Sequence, residues 1–233
     1  CPAGTYNTQR GSSSPDDCAP CAVGKANPIP GSSDPSVCTD CLPGSVANTQ
    51  GSSVCSLCDP GTYQKASGAT ECHICLQGSY CPAGASAPLP CDEGSFSSNT
   101  DNDDASDCTT ADAGTFAPTG SVVQTDCAAG TIAAVEGLGA CDLCPAGKFQ
   151  KDTGETTCVD CTPGYYCKEG AAAALPCPGG THKDASLTVM TSDSQCIICP
   201  EGTSCSVGSA VATPCAPGTY TDEPQQETCK KCD

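Results

Sequence analysis

The bulky apolar side chains of this chain fall in one register. Tyr6, Tyr63, Tyr80, Phe96, Phe116, Phe149, Tyr166 and Tyr220 each stand two residues after a glycine, and Val46 and Ile132 take the same place in two further segments. Only one of the nine aromatics, Tyr165, lies outside this register. Polar residues follow, as in Asn7-Thr8-Gln9-Arg10, and then in six segments a second glycine: Gly11, Gly31, Gly51, Gly68, Gly137 or Gly154. A short extended piece with one apolar side chain, a polar stretch with glycine and a return piece read as a small β-hairpin. No window sustains a helical period.

The glycine ahead of each apolar residue closes a recurring motif, a cysteine (once an alanine) three residues before it. Its first residues are Cys1, Cys21, Cys41, Cys58, Cys75, Cys91, Ala111, Cys127, Cys144, Cys161, Cys177, Cys199 and Cys215, spaced 16 to 22 residues apart. Proline often lies between, as in Cys1-Pro2-Ala3-Gly4, so Gly4, Gly24, Gly44, Gly61 and their successors read as turn residues that accept a positive φ. Self-similarity at this period marks a tandem array. The expected fold is all-β and disulfide-rich: an elongated array of about thirteen short β-hairpin repeats over residues 1–233, without a central core. Residues 232–233 read as the start of a further unit. The ring in each unit is read as inter-unit packing over the bridge and the next unit. A row of rings also suits carbohydrate stacking, but the repetition does not favour that over packing. Three units place Ala26, His182 or Ser204 in the ring register and are expected to pack more loosely.

Of 25 cysteines, eight pairs have CxxC spacing, the first ending one unit and the second opening the next. The simplest pairing joins opener to closer: Cys1–Cys18, Cys21–Cys38, Cys41–Cys55, Cys58–Cys72, Cys127–Cys141 and Cys144–Cys158. The unit at Ala111 supports it, because its opener is alanine and Gln124 holds its expected closing site; bridge partners vanish as a couple, independent ligands do not. Three units lack a closer and carry an extra cysteine six residues after the opener: Cys81, Cys167 and Cys205. Either the extra cysteine pairs locally (75 with 81, 91 with 108) or the bridges cross (75 with 91, 81 with 108). The local form keeps every bridge inside one unit. Cys232 is left unpaired, either as the opener of a continuing array or as a link between copies. Openers 41, 58, 75 and 91 reappear at 127, 144, 161 and 177, each shifted by 86, so a block of units is duplicated. Such a period suits lateral contacts at regular intervals.

Composition narrows the setting. Tryptophan is absent and aromatics are 4%, while cysteine exceeds one residue in ten, the signature of a disulfide scaffold. A bridge closing about 15 residues contributes about 3 kcal/mol by constraining the unfolded chain, so no unit is expected to fold alone. Such bridges need an oxidising compartment, hence an extracellular, secreted or cell-surface location. No apolar stretch of about 18 residues occurs, so this segment is not expected to insert in a membrane. The net charge of −18 makes nucleic acid and anionic lipid poor partners. The acidic run Asp101-Asn102-Asp103-Asp104 with Asp107 invites calcium, but it lacks the glycine and glutamate of an EF-hand loop, and a solvated acidic turn is preferred. No Asn-x-Ser/Thr sequon occurs. O-linked sugar on Ser12 to Ser14, Ser32-Ser33 and Ser52-Ser53 stands beside ordinary polar turns.

Zinc is the main chemical rival, since Cys18, Cys21, Cys38 and Cys41 have ribbon spacing. The loss of cysteines in couples and the extra-cysteine units argue against it. No metal or other cofactor is therefore expected. His73 sits in Cys72-His73-Ile74-Cys75 and His182 in the ring register, and neither has a nucleophile framework around it. A redox CxxC would need a βαβ setting that is not visible. No catalytic residue is assigned, and the chain is not expected to be an enzyme.

The unit Cys-x-x-Gly-x-Tyr…Gly…Cys-x-x-Cys, as in Cys1-Pro2-Ala3-Gly4-Thr5-Tyr6 with Cys18 and Cys21, resembles the cysteine-rich repeats of ephrin-receptor and TNF-receptor ectodomains. Cys58 to Tyr63 with Cys72 and Cys75 shows the same pattern. Long uninterrupted arrays of this kind look like those of protist and algal surface proteins, including the flagellar-hair (mastigoneme-like) protein. The likeness implies an extracellular, often glycosylated filament subunit. The expectation is a structural subunit of an extracellular filament, fibre or coat that self-associates. The alternative is a receptor-like ectodomain that binds a protein ligand.

Overall fold

A computed structural model describes residues 1–232. Among them are thirteen two-stranded antiparallel sheets and four short 3-10 turns. We number the hairpins 1 to 13 in the order of their openers. Hairpin 1 pairs Thr5–Tyr6 with Ala19–Pro20, and hairpin 2 pairs Lys25–Ala26 with Thr39–Asp40. Hairpin 13 pairs Thr219–Tyr220 with Lys230–Lys231. By contact density the chain forms two compact units. One holds Cys1–Thr110 and Ala117–Val123; the other holds Ala111–Phe116 and the residues from Gln124 onward.

Two ladder positions per strand, three in hairpin 11, are too few to hold a hairpin in water. Twelve disulfides supplement them. Six join the openers and closers Cys1–Cys18, Cys21–Cys38, Cys41–Cys55, Cys58–Cys72, Cys127–Cys141 and Cys144–Cys158. Cys91–Cys108, Cys177–Cys196 and Cys215–Cys229 follow the same scheme. In the extra-cysteine hairpins the local connectivity holds: Cys75–Cys81, Cys161–Cys167 and Cys199–Cys205. Cys232 is free and exposed.

Loop length sorts the hairpins. Bridges spanning 17 or 19 residues close loops that contain a 3-10 turn just before the second cysteine: Pro15–Asp17, Pro35–Val37, Ala105–Asp107 and Asp193–Gln195. Each turn is capped by Ser14, Asp34, Asp104 or Ser192, whose side chain accepts the N–H two residues on. Bridges spanning 14 residues omit that turn. The shortest hairpins, with a six-residue bridge, bring the corner glycine one residue forward, to Gly84, Gly170 and Gly208.

Hairpin 7, opened by Ala111, belongs to this shortest class. Its corner glycine is Gly120, and its N–H bonds the Cys91 carbonyl just as Gly84 bonds Cys58. The couple replaced in it is therefore Ala111 and Ala117, the positions of Cys75 and Cys81, rather than Ala111 and Gln124. Both alanines are fully buried. Gln124 stands where the other short hairpins have Pro88, Ala174 or Ala212. Its amide ties the return strand to the turn after the opener. Its Oε1 accepts the Asp112 N–H at 2.8 Å and the Thr115 hydroxyl at 3.0 Å, and its Nε2 donates to Asp112 at 2.7 Å. With this assignment the duplicated block is five hairpins, 3–7 and 8–12. The first copy carries bridge spans of 14, 14, 6 and 17 with hairpin 7 unbridged, and the second 14, 14, 6, 19 and 6.

The buried positions form no central mass. They are mainly the openers, the glycine that is the fourth residue of each motif (the fourth-position glycine) and, in most hairpins, the residue six after the opener, called the sixth position by that offset. The sixth-position residues Asn27, Ala47, Gln64, Cys81, Ser97, Ala117, Ala133, Gln150, Cys167, Cys205 and Thr221 are all buried despite having no common chemistry. The rings one residue earlier are only half-buried, apart from Tyr220, which is exposed. Tyr63 shows how such a ring sits. It packs on the buried cluster of Cys75, Cys81 and Ala85 in hairpin 5, and its ring centroid lies 5.9 Å from that of exposed His73.

Candidate functional site

The feature repeated throughout each compact unit is the contact between one hairpin and the next. Hairpins 3 and 4 illustrate it. The Gly44 N–H donates to the Gln64 carbonyl at 2.7 Å, the Gly68 N–H to the Cys41 carbonyl at 2.8 Å, and the Ala47 N–H to the Ala69 carbonyl at 3.2 Å. The fourth-position glycine of one hairpin thus meets the sixth-position carbonyl of the next, while the next hairpin's corner glycine reaches back to the opener. All three bonds are main-chain, so the clamp tolerates the varied side chains at its buried positions.

The fourth-position glycine carries a second constraint. A Cβ on Gly4 would lie 1.9 Å from the Gly51 carbonyl oxygen of hairpin 3. One on Gly24 would lie 2.0 Å from Gly68 O, one on Gly44 2.1 Å from Gly84 O, and one on Gly164 2.1 Å from Gly208 O. Each of these hairpins therefore touches the next but one, backbone against backbone. The φ of these glycines is between +79° and +86°, so the position demands glycine twice over, for conformation and for close approach.

Polar sixth-position side chains satisfy themselves within this contact. Asn27 Nδ2 donates to the Thr5 carbonyl at 3.1 Å and to Ser32 Oγ at 3.0 Å. Gln64 Nε2 donates to the Glu71 carbonyl at 2.7 Å, and Gln150 Nε2 to the Thr157 carbonyl at 2.9 Å. The residue after the fourth-position glycine is often Ser or Thr. Its hydroxyl donates to the carbonyl three residues back, as Thr5 to Pro2 and Ser45 to Leu42, both at 2.8 Å. Those hydroxyls close the turn.

The acidic run forms an open cleft of about 290 Å³ lined by Asn99, Asp101, Asn102, Asp103 and Asp107. Its carboxylates are used locally. Asp107 Oδ2 accepts the N–H of Asp103 at 2.9 Å and of Asp104 at 3.1 Å, and Asp104 Oδ1 accepts the Ser106 N–H at 2.9 Å. That last bond holds the Asp104 carboxyl below its ordinary range. Asp34 is lowered in the same way by the Ser36 N–H. Among the described residues no group of three or more His, Cys, Asp or Glu is disposed to hold a metal ion. Cys18, Cys21, Cys38 and Cys41, the ribbon-spaced set, are each committed to a disulfide.

Where the ring register holds Ala26, a second cleft opens between hairpins 2 and 3. Its volume is about 280 Å³, and its wall includes Ala26, Pro28, Thr39, Asp40, Leu42 and Val54. Lys25 Nζ and Asp40 Oδ1 form an ion pair of 2.7 Å at this hairpin. Among the described residues no helix is long and apolar enough to cross a membrane. The chain is thus a tandem array of disulfide-bonded cysteine-rich hairpins. No protein-family model matches it, and no curated protein matches it.

Proposed function

We propose that this chain is a load-bearing segment of an extracellular fibre or cell-surface coat, built from repeats of the ephrin-receptor and TNF-receptor kind and assembling with further copies of itself. The observation that carries the reading is the main-chain clamp that recurs, complete, at most junctions between successive hairpins. Tension along such an array is shared by backbone hydrogen bonds between hairpins, and every hairpin except hairpin 7 carries a disulfide that force alone does not open. The twelve disulfides support an oxidising, extracellular setting. The acidic exterior, with a net charge of −18, keeps a surface of this kind hydrated. The reading assigns the chain no catalysis and no resident cofactor.

Negative-stain microscopy of native material, with and without calcium, tests the proposal. Filaments or ordered sheets are the expected result. Monodisperse single particles at high concentration in both conditions would overturn it.

A further inference from the structure

The cleft beside Ala26 is a vacated ring site. In hairpin 4 Tyr63 pairs across the strands with His73, its backbone forms a β-bridge with Ala85, the residue after the corner glycine of hairpin 5, and its ring packs against the cluster that includes Ala85. The matching places around Ala26 are Thr39, its cross-strand partner, and Ser52, after corner Gly51 of hairpin 3. Thr39 and Ser53, Val54 and Cys55, which follow Ser52, line the cleft, so it lies at the place that corresponds to the ring in hairpin 4. Leu42, Pro28 and Val54 supply apolar walls. The volume of about 280 Å³ lies at the low end for ligand pockets, enough for one ring with a short substituent.

The charge of the rim narrows the occupant. Asp40 is the one charged residue on the wall, and its Oδ1 is engaged by Lys25. No hydrogen bond among the described residues ends on its Oδ2. We propose that this cleft binds a small aromatic molecule bearing an ammonium group on a short arm, the ring replacing the absent side chain and the cation meeting Asp40. The net charge of −18 favours the same sign of ligand. The proposal stands apart from the mechanical role: a fibre segment that fails to bind such a molecule remains a fibre segment.

The test is a titration of the intact oxidised chain with phenethylammonium, followed through the methyl resonances of Ala26, Leu42 and Val54. Saturable shifts confined to these residues, with a dissociation constant on the order of millimolar, are expected for a single ring. Neutral p-cresol should bind about tenfold more weakly, and phenylacetate should produce no saturable shift. Asp40→Asn should reduce the phenethylammonium affinity about tenfold and leave p-cresol unchanged. Ala26→Phe should fill the site and abolish binding of phenethylammonium and p-cresol. Asp40→Asn changes an exposed group, so it remains informative even where Ala26→Phe fails to fold. Absence of saturation, equal binding of phenylacetate, or unchanged binding in a folded Ala26→Phe variant would overturn the proposal.

Discussion

Gly44→Ala tests whether the array is held by close approach between a hairpin and the next but one. The perturbation is one methyl group. It would sit 2.1 Å from the Gly84 carbonyl oxygen and 3.0 Å from its carbon, both backbone atoms that cannot rotate away. Restoring an ordinary contact of 3.4 Å requires hairpins 3 and 5 to separate by more than 1 Å. The bonds at risk are Gly44 N–H to Gln64, 2.7 Å, and Gly84 N–H to Cys58, 2.8 Å. Each contributes about 1 kcal/mol. The positive φ of +84° adds about 1–2 kcal/mol of strain for alanine. The sum is about 3–4 kcal/mol, on the order of several hundredfold in local opening. Gly31→Ala is the control. Its φ is +72°, but its Cβ would meet nothing within 4 Å, so only the conformational part applies, about tenfold. The assay is amide hydrogen exchange at residue 44 and Gly84 for the first variant and at residue 31 and Asn7, whose N–H groups donate to Cys1 and Ser32, for the second, after mass spectrometry has verified the bridges. Site-by-site exchange suits an array in which a single unfolding midpoint need not exist. Equal losses in the two variants would refute the close-approach argument and leave φ as the only reason for the glycine.

The remaining predictions concern single hairpins. Ala111→Cys with Ala117→Cys should form a bridge like Cys75–Cys81, detected as two cysteines protected from alkylation without reductant; labelling of both would refute the assignment of hairpin 7 to the short class. Gln225 occupies a corner-glycine place with φ +64°, so Gln225→Gly should stabilise hairpin 13 by about 1 kcal/mol, read as slower exchange at Cys205 and at residue 225, whose N–H groups donate to Gln226 and Cys199. Asp34, Asp104 and Asp184 have carboxyl pKa values lowered from 3.8, chiefly by serine hydrogen bonds. Their contribution is therefore fully present above pH 3.8 and is lost as pH falls through the lower folded values. Loosening of the loops at Ser36, Ser106 and Ser186 should appear only below about pH 4, by exchange or proteolysis; loosening already at pH 5 to 6 would contradict it.

The sequence by itself determined the repeat, the hairpin and the dependence on sulfur, because these are properties of neighbours along the chain. An apolar residue two places after a glycine, a polar stretch and a cysteine a loop-length away are all visible in twenty residues. It also limited the local bridges to two connectivities. Tertiary structure alone decided which side chains are buried. The sixth position holds Asn, Ala, Gln, Ser, Thr or Cys in the hairpins where it is buried, so no hydrophobic pattern marks it. It is buried by the carbonyl it offers the preceding hairpin, and main-chain bonds do not select a side chain. The traces it left were Cys81, Cys167 and Cys205 at that position, and Gly84, Gly120, Gly170 and Gly208 one residue ahead of the other corner glycines. The second demand on Gly44 was likewise invisible, because Gly84 lies forty residues on and meets it only when three hairpins have stacked.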